Sequence, residues 1–493
     1  MLKELKNSVL NVYGLTKNTA TNEYMLVFDE FYGQRSEYKG RCANCNRNNT
    51  SEAWCQVCDL QKATQGWTSG NKDVDDCINE FQLKATKYEE VIEWIPFNRL
   101  DNVQMIGKGG FVGFGTVFSA TWLDGKRVVS GKAVNSYTQS RTSSCVVALK
   151  TLPGSQKNFK RSKLMGYNLE VYGITQNTTN NEYLLVFQYA DRGNLHDFLS
   201  LNFKELNWKS KLKQLVDISK NLIKIHKAEY VHGDFHSGNI LQNQYINGDL
   251  ISYIADLGLS RKMDDSDLED SVYGVLPYVA PELFNKHSYT VAADIYSFGI
   301  IMTKMSTERP PHFDIKYDET LVVKICSGLR PEFAKGTPEC YIQLANHCMD
   351  ADPSNRPTAS DIYDKLSGWY KILNNGSAEN NDELTILKEF QSADSVIPTL
   401  STELPICSKD ELTSNIYDKL SEWYKILNNS GAENKDELGI IKSFQPADSI
   451  IPTLSNELLI CYKDKLTSKL LNFKNLSKPI NSLSTELLKT YDE

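Results

Sequence analysis

The sequence predicts an α+β chain in which a β-rich stretch precedes a helical one. Three observations carry that reading. Apolar runs of strand length fill residues 146–149 (VVAL, led by a cysteine) and 184–187 (LLVF). Leu212, Leu215, Val216, Leu222, Ile223 and His226 then recur at helical spacing. Between 230 and 260 two further strand-like runs each end in an aspartate set in a loop: Asp234 in HGDFHSGN and Asp256 in DLG.

Composition narrows the class. A length of 493 residues suggests two to four units, and 41% apolar with 24% charged residues is ordinary for a soluble globular chain. A net charge of −8 argues against a general nucleic-acid binder. No run approaches the roughly 18 apolar residues that span a bilayer, and the N-terminus MLKELKNSVLNVYG has no continuous apolar core of a secretory signal. The expectation is an intracellular, cytoplasmic protein with neither a membrane nor a nucleic-acid partner. The eleven cysteines are then reduced thiols or metal ligands.

Two carboxylates and an amide (Asn239) at loop tips suit one task, holding metal-bound phosphates while a hydroxyl attacks. The spacing from Asp234 to Asn239 is similar to the protein-kinase catalytic loop H-R-D-x-x-x-x-N, and Asp256-Leu257-Gly258 resembles the D-F-G metal loop that follows it. In this order and at this separation the pair resembles a protein kinase, and residues 101–370 together resemble the tyrosine-kinase-like group. The resemblance implies a bilobal fold with a small β-rich lobe and a large helical lobe. It implies ATP and Mg2+ as cofactors, and a protein substrate that accepts the γ-phosphate on a Ser or Thr hydroxyl, less readily on Tyr. Asp234 would take the proton of the attacking hydroxyl, and Asn239 and Asp256 would hold magnesium.

In chain order, residues 1–30 contain NVYGLTKNTATNEYMLVF, a near copy of EVYGITQNTTNNEYLLVF at 170–187, where a kinase has two strands of its small lobe. The copy reads as a duplication relic or as added strands. Residues 40–62 hold Cys42, Cys45, Cys55 and Cys58 as paired C-x-x-C knuckles, a spacing at which four thiolates collect a tetrahedral Zn2+ ion. Such a site is structural, with Trp54 and Trp67 as its small core and a protein partner as a possible use. Residues 68–100 read as a linker or pre-domain helix with Ile78, Phe81, Leu83 and Ala85 as an imperfect stripe.

The nucleotide-binding half follows. Ile106, Gly107 and Gly109 lead to Gly115 and Val117, a glycine-rich loop if Val112, Gly113 and Phe114 form an insertion at its tip. Ala148 and Lys150 resemble V-A-I-K, whose lysine grips the α- and β-phosphates. The polar stretch between Trp122 and Cys145 reads as an extended loop. The lysine's usual glutamate partner has no counterpart at 151–168, which lacks acidic residues; Glu170, or speculatively Glu4, is the nearest substitute. Phe187 stands at the gatekeeper position, and the backbone of Gln188 and Ala190 would meet an adenine edge.

Further departures concern regulation and specificity. Gly233 replaces the arginine of the catalytic motif, His236 stands where Ser/Thr kinases carry lysine, and Val275 where they carry threonine. Activation by loop phosphorylation at Ser266, Ser271 or Tyr273 is therefore less expected. Glu282 of Ala-Pro-Glu should pair with Arg356, and Asp294 should bind the catalytic-loop backbone. Residues 371–493 read as duplicated end-helix repeats (IYDKLSGWYKILNN and IYDKLSEWYKILNN) in a loosely ordered tail. The alternative to a kinase is a pseudokinase scaffold acting through the zinc module and the repeats.

Overall fold

The computed structural model describes residues 12–17, 24–28, 35–108, 115–131, 136–151, 169–245, 248–262, 272–285, 288–400, 468–471 and 478–481. Gly109, the Val112–Phe114 insertion, Glu4, the acid-free stretch 152–168, Ser266, Ser271 and the second repeat's helix lie outside these residues. The chain divides into two compact units, one built around a sheet and one around helices.

In the first unit, strands β1 (Val12–Lys17) and β2 (Tyr24–Phe28) pair antiparallel as their own two-stranded sheet. The duplicated piece thus keeps the hairpin pairing of its original without joining the larger sheet. A short helix α1 (Cys58–Ala63) closes the cysteine module. Helix α2 (Lys72–Gln82) starts where Asn71 caps the Asp73 and Val74 N–H groups, and it buries Val74, Ile78 and Gln82. That face is an i, i+4, i+8 stripe, so Leu83, expected inside, falls beyond the last turn and is exposed.

The main sheet has six strands in the order β3-β9-β10-β8-β5-β4, formed by β3 (Glu93–Trp94), β4 (Leu100–Lys108), β5 (Thr116–Trp122), β8 (Cys145–Thr151), β9 (Val171–Gln176) and β10 (Tyr183–Gln188). The pre-domain segment contributes β3, which pairs in parallel with β9 at the edge. The stretch expected as an open loop instead holds a hairpin, β6 (Arg127–Ser130) with β7 (Thr138–Arg141). Its signal is faint, since Val128 and Val129 are its sole apolar pair, and ions fasten it: Arg127 and Arg141 both reach Glu93, at 3.2 and 2.5 Å. One face of the sheet buries Val147, Leu149, Leu184 and Val186 with Trp122 and Ile95.

The helical unit contains α3 (Leu195–Asn202), α4 (Trp208–Lys227), α5 (Val291–Thr307), α6 (Glu319–Cys326), α7 (Glu339–Cys348), α8 (Ala359–Asn375) and α9 (Asn381–Val396). Helix α5 is apolar nearly all round and is buried along its length, as a central helix must be. The core does not stop at residue 370. Helix α9 inserts Phe390 against Trp208 and Trp369, with ring centroids 5.5 and 5.9 Å away, and adds Leu387 and Ala393 to the buried set, with Ile397 just past its end. A loosely ordered tail from residue 371 is thus replaced, over 381–396, by a packed helix. Burying Phe390 alone is worth about 3 kcal/mol. Among the described residues no helix is long and apolar enough to cross a membrane.

Lys211 is fully buried on α4, its Nζ 3.9 Å from the Phe203 ring centroid and without a hydrogen-bond partner. Burial pulls its ammonium down to about 7. The unfolded chain therefore binds more protons between about pH 7 and 10, and stability rises with pH across that window. Below pH 7 the lysine is charged in both states and the full cost of its burial stands. Lys211→Met should raise stability at pH 7 by on the order of 2 kcal/mol. It should also flatten the rise of stability between pH 7 and 10, read from urea midpoints at each pH.

Candidate active site

The loops that carry Asp234, Asn239 and Asp256 are placed by two small β-pairings. Strand β11 (Tyr230–Val231) pairs with β14 (Arg261–Lys262), and β12 (Ile240–Gln244) pairs with β13 (Leu250–Ile254). The second hairpin sets Ile240 opposite Ile254, so Asn239 and the residues after 254 emerge at the same end. Ala255 N–H donates to the Asn239 carbonyl at 2.8 Å, which locks that juxtaposition. The two loops paired in the sequence thus meet through the register of one short hairpin.

A buried carboxylate holds the loop from beneath. Asp294, 2% exposed in the first turn of α5, accepts the backbone N–H groups of His232 at 2.8 Å and Gly233 at 3.1 Å. His226 Nε2 lies 2.9 Å from the same carboxylate, which gives the helical histidine a structural partner. His232 accepts the Asp234 N–H at Nδ1 (3.3 Å), which leaves Nε2 to donate to the Ala255 carbonyl at 3.0 Å. One imidazole therefore fastens the Asp234 loop to the residue before Asp256. Gly233 has φ +77, and a Cβ there would lie 3.2 Å from the Leu259 carbonyl. The residue that replaces the arginine suits a left-handed backbone.

Asp234 is 5% exposed. Its backbone carbonyl accepts from Asn239 Nδ2 at 2.9 Å, and the same nitrogen lies 3.4 Å from Oδ2. His236 Nε2 lies 3.7 Å from Oδ1. With its nitrogen committed to Asp234, the Oδ1 of Asn239 is the side-chain atom left to serve a metal ion. Asp256 adopts φ 59, ψ 67, a left-handed turn that aspartate tolerates, and its carboxylate accepts the Gly258 N–H at 3.2 Å. An amide oxygen and a carboxylate are hard donors of the kind magnesium takes, so the residues present fit that ion.

The loop after the aspartates is tied to α5. Ser237 Oγ meets Tyr278 Oη at 3.0 Å, and Ser297 Oγ donates to the Tyr278 carbonyl at 2.7 Å. Burial pushes the Tyr278 phenol well up from its ordinary range. Arg356 forks onto Glu282 with two bonds of 2.8 Å and also donates to the carbonyls of Ala292 and Asp350. That is the pair the sequence suggested, and both side chains are buried.

In the sheet unit, Lys150 lies on β8 opposite Val117 of β5 and Leu185 of β10. Ala148 lies opposite Ser119 and Phe187 and is buried. Gln188 ends β10 and its N–H donates to the Glu170 carbonyl at 2.8 Å. The Glu170 carboxylate takes Lys126 Nζ and Tyr172 Oη, each at 2.9 Å. Ile106 is half exposed on β4, and Gly115 is buried ahead of β5. Ala190 belongs to the helical unit, where its carbonyl accepts from Gly193. The structure therefore gathers Asp234, Asn239 and Asp256 in one unit, and Lys150, Val117, Ala148 and Gln188 in the other.

Sequence reasoning missed Tyr289, whose hydroxyl bonds both the N–H and the carbonyl of Tyr273, and Ser468, whose hydroxyl reaches Asp234. Neither stands in a motif. Away from these loops, the Cys42, Cys45, Cys55 and Cys58 sulfurs lie within 4.8 Å of one another, with Cys45 and Cys55 3.8 Å apart. Trp54, next in sequence to Cys55 and 1% exposed, packs with Ala85 and Val91.

Comparison with known proteins agrees with this geometry. The profile of the family described as protein tyrosine and serine/threonine kinase matches residues 100–366, over half of the chain. The probable serine/threonine-protein kinase drkA of Dictyostelium discoideum is 30% identical over 181 residues, covering 36% of this chain and 27% of drkA. The probable serine/threonine-protein kinase pats1 of the same organism is 28% identical over 281 residues, 55% of this chain and 8% of pats1. The brassinosteroid LRR receptor kinase BRI1 of Oryza sativa subsp. japonica is 29% identical over 297 residues, 55% of this chain and 24% of BRI1. The chain thus spans about a quarter or less of the length of each of these relatives. With the aspartate loops, the Asp294 anchor and the Glu282–Arg356 pair in place, the two-unit α+β chain belongs to the protein tyrosine and serine/threonine kinase family.

Proposed function

We propose that this chain is a protein kinase that transfers the γ-phosphate of ATP to a serine or threonine hydroxyl of a protein, within the tyrosine-kinase-like group. The observation that carries the reading is the meeting of Asp234, Asn239 and Asp256 at one end of the β12–β13 hairpin, with the loop of Asp234 held by the buried Asp294. The relatives drkA and pats1, both probable serine/threonine-protein kinases, favour serine and threonine over tyrosine.

In this reading Asp234 orients the attacking hydroxyl and takes its proton. Asn239 Oδ1 and Asp256 hold magnesium, which when bound neutralises charge on the transferring phosphoryl group. Lys150 pairs with the α- and β-phosphates, and the backbone around Gly107, Gly109 and Gly115 covers them. Ile106, Val117 and Ala148 give the adenine an apolar surround, and the backbone of Gln188 and Ala190 meets its edge. The test is incubation with labelled Mg·ATP and a generic basic protein, followed by phosphoamino-acid analysis. Phosphoserine or phosphothreonine is expected. Thermal stabilisation by Mg·ATP without any transfer would instead favour a nucleotide-binding scaffold.

We also assign the cysteine module to structural zinc. A tetrahedral ion with Zn–S bonds of ~2.3 Å sets its sulfurs ~3.8 Å apart, the separation of Cys45 and Cys55. Four thiol ligands leave no open position for chemistry, which fits a docking surface for a protein partner. Chelation with an excess of a strong zinc ligand should release one zinc per chain, read with a colorimetric dye. It should also expose the segment around Trp54 to proteolysis while the helical unit stays intact.

A further inference from the structure

The helical unit holds, at its catalytic aspartate, a piece of the chain from far downstream. Strand β15 (Val272–Gly274) lies in the segment that follows the metal loop, and β16 (Lys469–Leu471) pairs with it antiparallel. The register sets Lys469 opposite Gly274, Leu470 opposite Tyr273 and Leu471 opposite Val272. One residue earlier, the Ser468 hydroxyl donates to both Asp234 carboxylate oxygens, at 2.8 and 2.7 Å.

We propose that Ser468 is an intramolecular phosphoacceptor and that its segment occupies the acceptor groove until it is phosphorylated. The proposal rests on the kinase reading above and names that site's first substrate. The geometry is what proton abstraction needs: an acceptor hydroxyl within hydrogen-bond reach of the base before any substrate is added. The backbone pairing fixes the depth of Ser468. With Lys469 held opposite Gly274, a serine hydroxyl just reaches Asp234, whereas a tyrosine hydroxyl would project several ångströms further from its Cα. Gly274 keeps the groove floor thin, since its φ is +150 and a Cβ there would meet Val279 Cγ2 at 2.8 Å.

Two further contacts argue that the seat is specific. Leu471, three residues after the acceptor, packs on the helical core, while Lys469 and Leu470 face solvent. Beyond it, Ile480 N–H donates to the Cys326 carbonyl at 3.0 Å, and Asn481 bonds both Ala351 N–H (2.7 Å) and the Asp350 carboxylate (3.1 Å). The tail is thus fastened on the same unit at two places. The acceptor class this describes is an extended peptide with a serine and an apolar residue three positions on.

The step balances with ATP as the donor. Ser468 Oγ forms a bond to the γ-phosphorus, and the bond from that phosphorus to the β,γ-bridging oxygen breaks. ADP leaves with the electron pair, and the hydroxyl proton passes to Asp234. The product carries close to two negative charges beside the Asp234 carboxylate, and that repulsion expels the segment and opens the groove.

The test uses the full chain. Without nucleotide, hydrogen exchange should show the amides of 272–274 and 469–471 protected, with protection lost in Leu471→Asp. With Mg·ATP, mass spectrometry should find phosphate on Ser468, accumulating at a first-order rate independent of protein concentration. Ser468→Thr should keep the site as phosphothreonine, Ser468→Ala should remove it, and Leu471→Asp should raise initial transfer to an added basic protein several-fold. Transfer to the added protein with no phosphate on Ser468 would overturn the inference and leave the kinase reading standing. So would a Ser468 rate that scales with chain concentration, or unprotected 469–471 amides. No transfer to any acceptor would overturn the kinase reading together with this inference.

Discussion

Asp234→Ala should lower single-turnover phosphoryl transfer by about 10²- to 10⁴-fold, the range that a positioned general base contributes. The loss should fall on the chemical step. Asp234 is engaged by Ser468, Asn239 and His236, and in the proposed reading it acts on the acceptor hydroxyl, whereas Lys150 and the metal-holding residues bind the nucleotide. Thermal stabilisation by Mg·ATP should therefore persist in the variant, which separates a chemical defect from a folding one. Asp294→Asn should act more gently through the same loop. The His232 and Gly233 N–H groups bond different oxygens of the carboxylate, so the amide keeps an acceptor for one of them, sets an NH2 against the other, and removes the charge that faces His226. As a positioning residue, Asp294 should affect the transfer rate and leave nucleotide binding alone.

Arg356→Ala should produce the largest loss of stability. The guanidinium is fully buried and holds Glu282 by two 2.8 Å bonds, with Ala292 and Asp350 carbonyls on its remaining donors. Removing it leaves a buried carboxylate uncompensated, a change that costs about 3–5 kcal/mol. For a unit of this size that corresponds to a fall in melting temperature of about 10 °C. Arg356→Lys keeps the charge but cannot fork, so it should fall between. The double variant Glu282→Leu with Arg356→Met should recover part of the loss, because two apolar side chains of similar volume need no partner. Thermal unfolding of the three proteins checks the order.

The legible part of this molecule is the part whose chemistry is local in sequence. Asp234 and Asn239 are five residues apart in one loop, and the hairpin that joins them to Asp256 is short. Spacing alone therefore brought the three candidates together. Glu282 and Arg356 were legible for another reason: a glutamate after Ala-Pro and an arginine before a proline stand in recognisable local frames. What escaped depends on distant pairings. Ser468 meets Asp234 through strand addition across more than two hundred residues, and a single serine among Asn- and Ser-rich repeats carries no periodic signal. Helix α9 was hidden in the same way. Leu387, Phe390, Ala393 and Ile397 form a usable apolar stripe, but the polar repeat around them suggested an unpacked tail. The β6–β7 hairpin is held by Arg127 and Arg141 on Glu93, and ion pairs of that kind have no pattern in one dimension.

The measurement that tests the central claim most directly is a double-mutant cycle in single-turnover transfer from Mg·ATP, using Asp234→Ala, Asp256→Ala and both together. Residues that act as one unit lose activity non-additively. The account predicts that each single variant loses most of the transfer and that the double variant is no slower than the worse single one. Full transfer in Asp234→Ala would contradict it, as would two independent losses that multiply in the double variant.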